Sequence, residues 1–212
     1  MRAVFFDLDG TLVELPDDFA DLFHDAMADV GVSTDDDHHE FYTEAFLEYF
    51  EECHPEPYRA AMADLCEEFG FVPDFDELAA AYVETEVART ELRPGARDVL
   101  SAFDAPLGVL TNGAENVQRR KLDHHDLADE FDEAVVSGAV GAAKPDSDIF
   151  AAAEDAIPAD EHVFVADDLE RDVVPAQNAG FTGVYVAADP EDGAARADAT
   201  VSSLREVPNV LE

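Results

Sequence analysis

Residues 3–11 read Ala3-Val4-Phe5-Phe6-Asp7-Leu8-Asp9-Gly10-Thr11, four consecutive apolar residues that break off into acid and glycine. A run apolar on both faces suits a strand buried between two layers, the environment of a parallel sheet. Comparable runs recur at 107–110, 134–136, 162–166 and 183–186, separated by helical patterns at 96–103, 115–125, 146–156 and 172–179. Strands alternating with helices predict an α/β chain whose parallel sheet is covered on both faces.

Residues from about 16 to 90 break that rhythm, because their apolar spacing is helical throughout. Phe19, Leu22, Phe23, Ala26, Met27 and Val30 form one stripe before Gly31. Thr34 is expected to cap a second helix with Asp35–Asp37 in its first turn, where carboxylates suit the helix dipole. Its stripe runs through Tyr42, Ala45, Phe46, Tyr49 and Cys53 to Pro55 and Pro57. Two further stripes, around 58–69 and 75–87, complete the segment. The division expected is a catalytic core of residues 1–15 and 91–212, with residues 16–90 as an all-helical cap inserted after the first strand.

The 212 residues carry 51 Asp+Glu against 12 Lys+Arg, a formal net charge of -39, with 47% hydrophobic residues. That apolar share supports a real core rather than an acidic disordered tail. Twelve cations outvoted by 51 carboxylates assemble no basic surface, so nucleic acid and anionic membranes are excluded as partners. Only two residues are lysine, Lys121 and Lys144. Charge of this size opposes compaction, and salt near 1 M, with a Debye length of roughly 3 Å, screens it. The composition is therefore read as adaptation to a very salty cytoplasm. Cys53 and Cys66 make neither a metal-ligand spacing nor a disulfide framework. The first residues lack the apolar region of a signal peptide, and no run approaches the ~18 residues of a membrane span. A soluble cytoplasmic protein is expected.

Every candidate functional residue falls at the carboxyl end of a predicted strand, where open α/β sheets place their ligands. The segments are Asp7-Leu8-Asp9-Gly10-Thr11, Leu110-Thr111-Asn112-Gly113, Ala143-Lys144-Pro145, and Ala166-Asp167-Asp168 followed by Asp172. Asp7 and Asp167 at adjacent strand ends repel unless a cation sits between them, and hard oxygen ligands with room for water favour Mg²⁺. Thr111 offers a hydroxyl and Asn112 an amide to an anion, and Lys144 adds positive charge. Around a carboxylate nucleophile, this set describes phosphoryl transfer through an aspartyl-phosphate. Asp9 is placed to protonate the leaving oxygen and then deprotonate the attacking water.

With these four motifs in this order, the chain resembles the haloacid dehalogenase-like hydrolase superfamily, in its branch with a helical cap after strand one. The stretch from Val136 to Asp146 is similar to the family's segment around its lysine, and the resemblance covers essentially the whole chain. It implies a Rossmann-like core, Asp7 as nucleophile and Asp9 as general acid/base. It further implies Mg²⁺ held by the Asp7 side chain, the Asp9 backbone carbonyl and the Asp167 side chain. Thr111 and Asn112 would hold the phosphoryl group, and Lys144 would steady both it and Asp7. Ala166 stands where glycine is typical, and Asp168 where a small polar residue is typical. Asp168 is left either to join the metal shell or to be one more acid of this composition, while Asp172 is the better match for the distal acidic position and is expected to act on the metal through water. A composition that has lost nearly every lysine keeps Lys144 where this chemistry calls for an ammonium group.

The implied activity is a Mg²⁺-dependent phosphatase of a small phosphorylated metabolite, a nucleotide, sugar phosphate or phosphoglycolate-like ester. A phosphomutase shares the same core. A haloacid dehalogenase needs neither a metal nor an acid at position 9. A receiver-type signalling module carries its phospho-accepting aspartate after a later strand and lacks a long helical insertion. No pattern specifies an oligomeric state. The doublets His38-His39 and His124-His125 are expected on the surface, since neighbours on a helix point about 100° apart and cannot share one ion. Arg119-Arg120-Lys121 is expected to be a solvated helix face.

Overall fold

The apolar run at 3–6 becomes β1 (Arg2–Phe6), an inner strand whose side chains alternate between two cores. The computed structural model describes residues 1–71, 74–187 and 195–211. After β1 come β2 (Val13–Glu14) and four helices: α1 (Phe19–Asp29), α2 (Asp36–Glu51), α3 (Pro57–Phe69) and α4 (Phe75–Arg89). The chain then continues through β3 (Glu91–Leu92), α5 (Ala96–Leu100), β4 (Leu107–Thr111), α6 (Glu115–His124), β5 (Glu133–Val136), α7 (Ser137–Val140), α8 (Ser147–Ala156) and β6 (Glu161–Ala166). A π-helical turn (Leu169–Val173) leads into α9 (Val174–Asn178), followed by β7 (Thr182–Val186) and β8 (Ala199–Val201).

Six strands form one sheet in the order β5-β4-β1-β6-β7-β8, and every pairing in it is parallel. Val4 and Phe6 pack with Val109, Leu122, Val163 and Val165 on one face. Ala3 and Phe5 pack with Leu110, Phe150, Phe164 and Phe181 on the other. Gly108 lies beside the Phe5 ring, and a Cβ there would fall 2.3 Å from that ring, so the close approach requires glycine. The architecture is the α/β Rossmann-like one expected.

β2 and β3 pair antiparallel, Val13 against Leu92 and Glu14 against Glu91. The helical stretch therefore leaves the sheet and returns to it through adjacent backbone. Its four helices bury a core of their own that includes Leu22, Phe23, Met27, Tyr42, Met62 and Tyr82. Pro57 opens α3, and Gly70 closes it in the left-handed conformation.

Several local expectations are corrected. Asp35, not Thr34, caps α2: its carboxylate accepts from the His38 backbone, while Thr34 Oγ1 bonds His24 Nδ1 at 2.8 Å. α5 ends at Leu100, short of Phe103. The helix expected over 172–179 divides into the π-helical turn and α9, with Pro175 in the first turn of the latter. The pairs β2–β3 and the edge strand β8 are too short to leave a period in the sequence. No helix among the described residues is long and apolar enough to cross a membrane.

Candidate active site

Strands β1, β4 and β6 lie side by side, so Asp7, Thr111 and Asp167 emerge together at their carboxyl ends. Asp7 is buried, and Lys144 Nζ lies 2.7 Å from its Oδ1. The same ammonium lies 3.0 Å from Asp172 Oδ1 and 5.1 Å from the centroid of the Phe164 ring. Carboxylate oxygens of Asp7, Asp167 and Asp172 lie within 4.8 Å of one another. Burial pushes the Asp7 carboxyl up to about 6, against the pull of Lys144 and with Asp172 adding to the rise. Burial likewise raises Asp167, with the Thr11 hydrogen bond opposing it and Asp7 adding to it.

Asp167 is held in place on both sides. Thr11 Oγ1 donates to its Oδ1 at 2.9 Å, and the Asp167 backbone N–H donates back to the same hydroxyl at 3.0 Å. Gly10 has a φ of +91°, and a Cβ there would sit 2.5 Å from Asp167 Oδ2. Glycine is thus required twice, by conformation and by the carboxylate packed against it.

Lys144 pairs with Asp7 and Asp172 but not with Asp167, and Arg171 reaches only Asp172 of the three, so the three carboxylates outnumber the two cations and the cluster is net negative. Asp172 Oδ2 is buried without a hydrogen-bond partner among the described residues. An unmet buried carboxylate oxygen beside two more carboxylates fits a hard divalent cation of the Mg²⁺ type.

Asp168 does not join the cluster. Its Oδ1 accepts from the backbone N–H groups of Glu170 and Arg171 at 2.9 and 2.8 Å, capping the π-helical turn. Of the two roles left open for Asp168, its Oδ1 is seen capping the turn, outside the three-carboxylate cluster. Asp172 is completely buried at the cluster. Arg171, which the sequence did not single out, lies 3.5 Å from Asp172 Oδ1 and 3.7 Å from Asp168 Oδ2.

Asn112 and Lys144 clasp each other. Asn112 Nδ2 donates to the Lys144 carbonyl at 3.0 Å, and the Lys144 N–H donates to Asn112 Oδ1 at 2.9 Å. The Asn112 amide, expected to bind an anion, also fixes the lysine loop, and Asn112 lines the cavity described below. Thr111 lies buried at the end of β4, its hydroxyl accepting from Gln118 Nε2 at 3.0 Å.

Asp9 is gripped by α6. Gln118 Nε2 lies 2.8 Å from its Oδ2, and Lys121 Nζ lies 3.0 Å from both carboxylate oxygens. Lys121 also meets Glu86 of α4 at 3.0 Å, and Glu86 accepts from the Tyr58 hydroxyl at 3.3 Å. Burial works against the Lys121 charge, but Asp9 and Glu86 outweigh it and hold the ammonium above its ordinary range. The expectation of a solvated Arg119-Arg120-Lys121 face therefore fails at Lys121, whose side chain is 3% exposed. It holds for Arg119, paired with Glu115, and for exposed Arg120. The scarcity that marked Lys144 applied equally to Lys121; both lysines of the chain are buried here. Glu86 carried no signal among 51 acids.

The surface expectation also fails for part of the histidine doublets. His125 is buried against Thr90 at 2.8 Å, and His39 is half-buried at the wall of a cavity. That cavity, of about 400 Å³, lies between the strand ends and the helices. Asp7, Asp9, Thr111, Lys121 and Lys144 line its floor, and Phe19, Tyr42, Phe46, Leu47, Phe50 and Tyr58 its helical wall.

A family model described as haloacid dehalogenase-like hydrolase matches residues 1–180. A phosphoserine phosphatase of Thermus thermophilus is 38% identical over 149 residues, 66% of this chain and 59% of that protein. A pyrimidine 5'-nucleotidase of Escherichia coli is 36% identical over 126 residues, 56% of each chain. The chain thus spans a little under three fifths of the length of these two relatives. A glyceraldehyde 3-phosphate phosphatase of Methanopyrus kandleri is 29% identical over 88% of this chain and 84% of its own. Among solved structures, a 2-haloacid dehalogenase from Pseudomonas syringae superposes with a TM-score of 0.79 at 24% identity, covering 100% of this chain and 98% of that one. An HAD phosphatase from Thermococcus onnurineus superposes with a TM-score of 0.70 at 25% identity and the same coverage.

Proposed function

The chain belongs to the haloacid dehalogenase-like hydrolase family, and within it we propose that this protein is a Mg²⁺-dependent phosphatase of small phosphate monoesters. The observation that carries this reading is the trio of buried Asp7, half-buried Asp167 and buried Asp172, with one ammonium and one guanidinium beside them and one oxygen unmet. A cluster so short of positive charge suits a cation together with an anionic group. The named phosphatases and the nucleotidase among the relatives support the same class of substrate.

The metal would be held by the Asp7 and Asp167 carboxylates and the Asp9 backbone carbonyl, with Asp172 at the edge of its shell. When bound, it offsets the charge of the phosphoryl oxygens and of Asp7. The Asp7 carboxylate oxygen attacks phosphorus, the bond from phosphorus to the ester oxygen breaks, and Asp9 delivers its proton to the departing alcohol. Water then attacks phosphorus, giving its proton to Asp9, and inorganic phosphate leaves with Asp7 restored. Lys144 steadies Asp7 and the phosphoryl oxygens, and the Thr111 hydroxyl faces the same group. Lys121 and Gln118 fix the side chain of Asp9. We read the four helices over the site as a cap that excludes water and selects the alcohol.

The rival on this fold is attack on the carbon of a haloacid, which uses a single carboxylate nucleophile. An acid at position 9 and a metal-binding carboxylate at Asp167 have no part in that chemistry. The test is release of phosphate from p-nitrophenyl phosphate in molar KCl. The reading expects activity that needs Mg²⁺ and is lost in Asp7→Asn; undiminished activity in that variant overturns it. Chloride release from chloropropionate that survives EDTA would establish the rival.

A further inference from the structure

We propose that the cavity above Asp7 selects phosphate monoesters whose alcohol is uncharged and carries a flat apolar ring; this rests on the phosphatase reading and narrows its substrate class. The first ground is the wall presented by α2. His39, Thr43 and Leu47 make one stripe at four-residue spacing, and Tyr42, Phe46 and Phe50 make the next, and all six line the cavity. On this helix only Tyr42 is buried, and Leu47 is 49% exposed. Phe46 stands 4.7 Å from the Tyr58 ring and 5.5 Å from the Phe50 ring, centroid to centroid, so aromatic faces are assembled around the void. Apolar surface held open at a cavity of about 400 Å³ favours an occupant that covers it, and rings prefer offset or edge contacts with such faces.

The second ground is the state of the cations. Three permanently charged side chains reach the cavity, Lys121, Lys144 and Arg171, and each is already engaged by carboxylates. His39 bonds Thr43 at 3.2 Å, and burial together with His24 lowers its tendency to charge. A carboxylate on the alcohol would therefore find no free cation on the described wall, and would face Glu86 and Asp9. Selection works by both routes: an apolar wall that a ring covers, and the missing partner that rejects a second anion.

The experiment has a binding arm that needs no turnover and a kinetic arm that does. Calorimetry in molar KCl with Mg²⁺ compares phenethylphosphonate with phosphonopropionate, which differ in ring against carboxylate. The ring compound is expected to bind tighter by on the order of tenfold or more. Equal or tighter binding of phosphonopropionate overturns the inference. In the kinetic arm, kcat/KM for phenethyl phosphate should exceed that for phosphoglycolate by a similar factor, both being alkyl esters. Leu47→Arg places a free cation on the exposed rim of the wall, and should shift both ratios toward the carboxylated compounds. Unchanged ratios in that variant count against the inference. Ring preference in binding without hydrolysis of any ester would keep the inference and remove the phosphatase reading; hydrolysis with the carboxylated ester preferred would do the reverse.

Discussion

The Lys121 ammonium lies 3.0 Å from both carboxylate oxygens of Asp9, and its own charge is shared with Glu86 on α4. The residue assigned to move protons is thus tied, through one buried cation, to the helices that close over the site. Removing one partner of a buried ion pair costs about 3–5 kcal/mol because the other is left uncompensated. Lys121→Met should lower stability by about that amount and reduce kcat by on the order of a hundredfold. Glu86→Gln keeps an acceptor for Lys121 and should cost less on both counts. Thermal denaturation and steady-state kinetics on the two variants measure this.

Asp7 gives a pH dependence of stability. Burial holds its carboxyl near about 6 when folded, above its ordinary 3.8, so the folded chain binds this proton more tightly than the unfolded one. Its contribution is most favourable below about 4 and is lost as pH rises through about 6. In metal-free buffer, the stability of wild type minus that of Asp7→Asn should fall across that window by on the order of 3 kcal/mol, then stay level. Denaturant titrations at several pH values read the difference directly.

The unmet oxygen of Asp172 predicts a metal effect on folding. A cation that binds only the native state raises the melting temperature with its concentration. Mg²⁺ should therefore stabilise the wild type, and Asp167→Asn should abolish most of that increment. Asp168→Asn should leave the increment intact, since its carboxylate caps a turn rather than joining the cluster. Melting curves with and without Mg²⁺ compare the three proteins.

The net charge of -39 is read as adaptation to a salty solvent. As KCl rises from tens of millimolar to about 1 M the Debye length shrinks to roughly 3 Å, and self-repulsion fades. The melting temperature and the on-rate for an anionic substrate should both rise over that range. A protein equally stable and active in dilute buffer would contradict the reading.

The sheet was legible because β1, β4, β6 and β7 are apolar runs long enough to show their pattern, and β1, β4 and β6 each end in a polar motif. The short strands β2, β3 and β8 were not, since two or three residues hold no period. Asp7, Thr111 and Asp167 stood out because their types and strand-end positions coincide, whereas Lys144, in the loop between α7 and α8, stood out by its rarity and by the motif around it. Asp168 stayed ambiguous because a carboxylate beside a metal motif and one capping a turn read alike. Lys121 was misassigned because it sits in a run of cations on an otherwise polar helix. Only the packing of α4 against α6 turns that residue inward toward Glu86. Partnerships across the chain, such as Glu86 with Lys121 or Asn112 with Lys144, have no local signature.

In the proposed mechanism Asp7 carries the phosphoryl group between alcohol and water. Acid quenching of the enzyme during steady turnover of p-nitrophenyl phosphate, followed by digestion and mass analysis, tests it most directly. One added phosphoryl group is expected on the peptide that contains Asp7, lost once substrate is exhausted and absent from Asp7→Asn. Turnover with no adduct, or with the adduct on a peptide lacking Asp7, would contradict it.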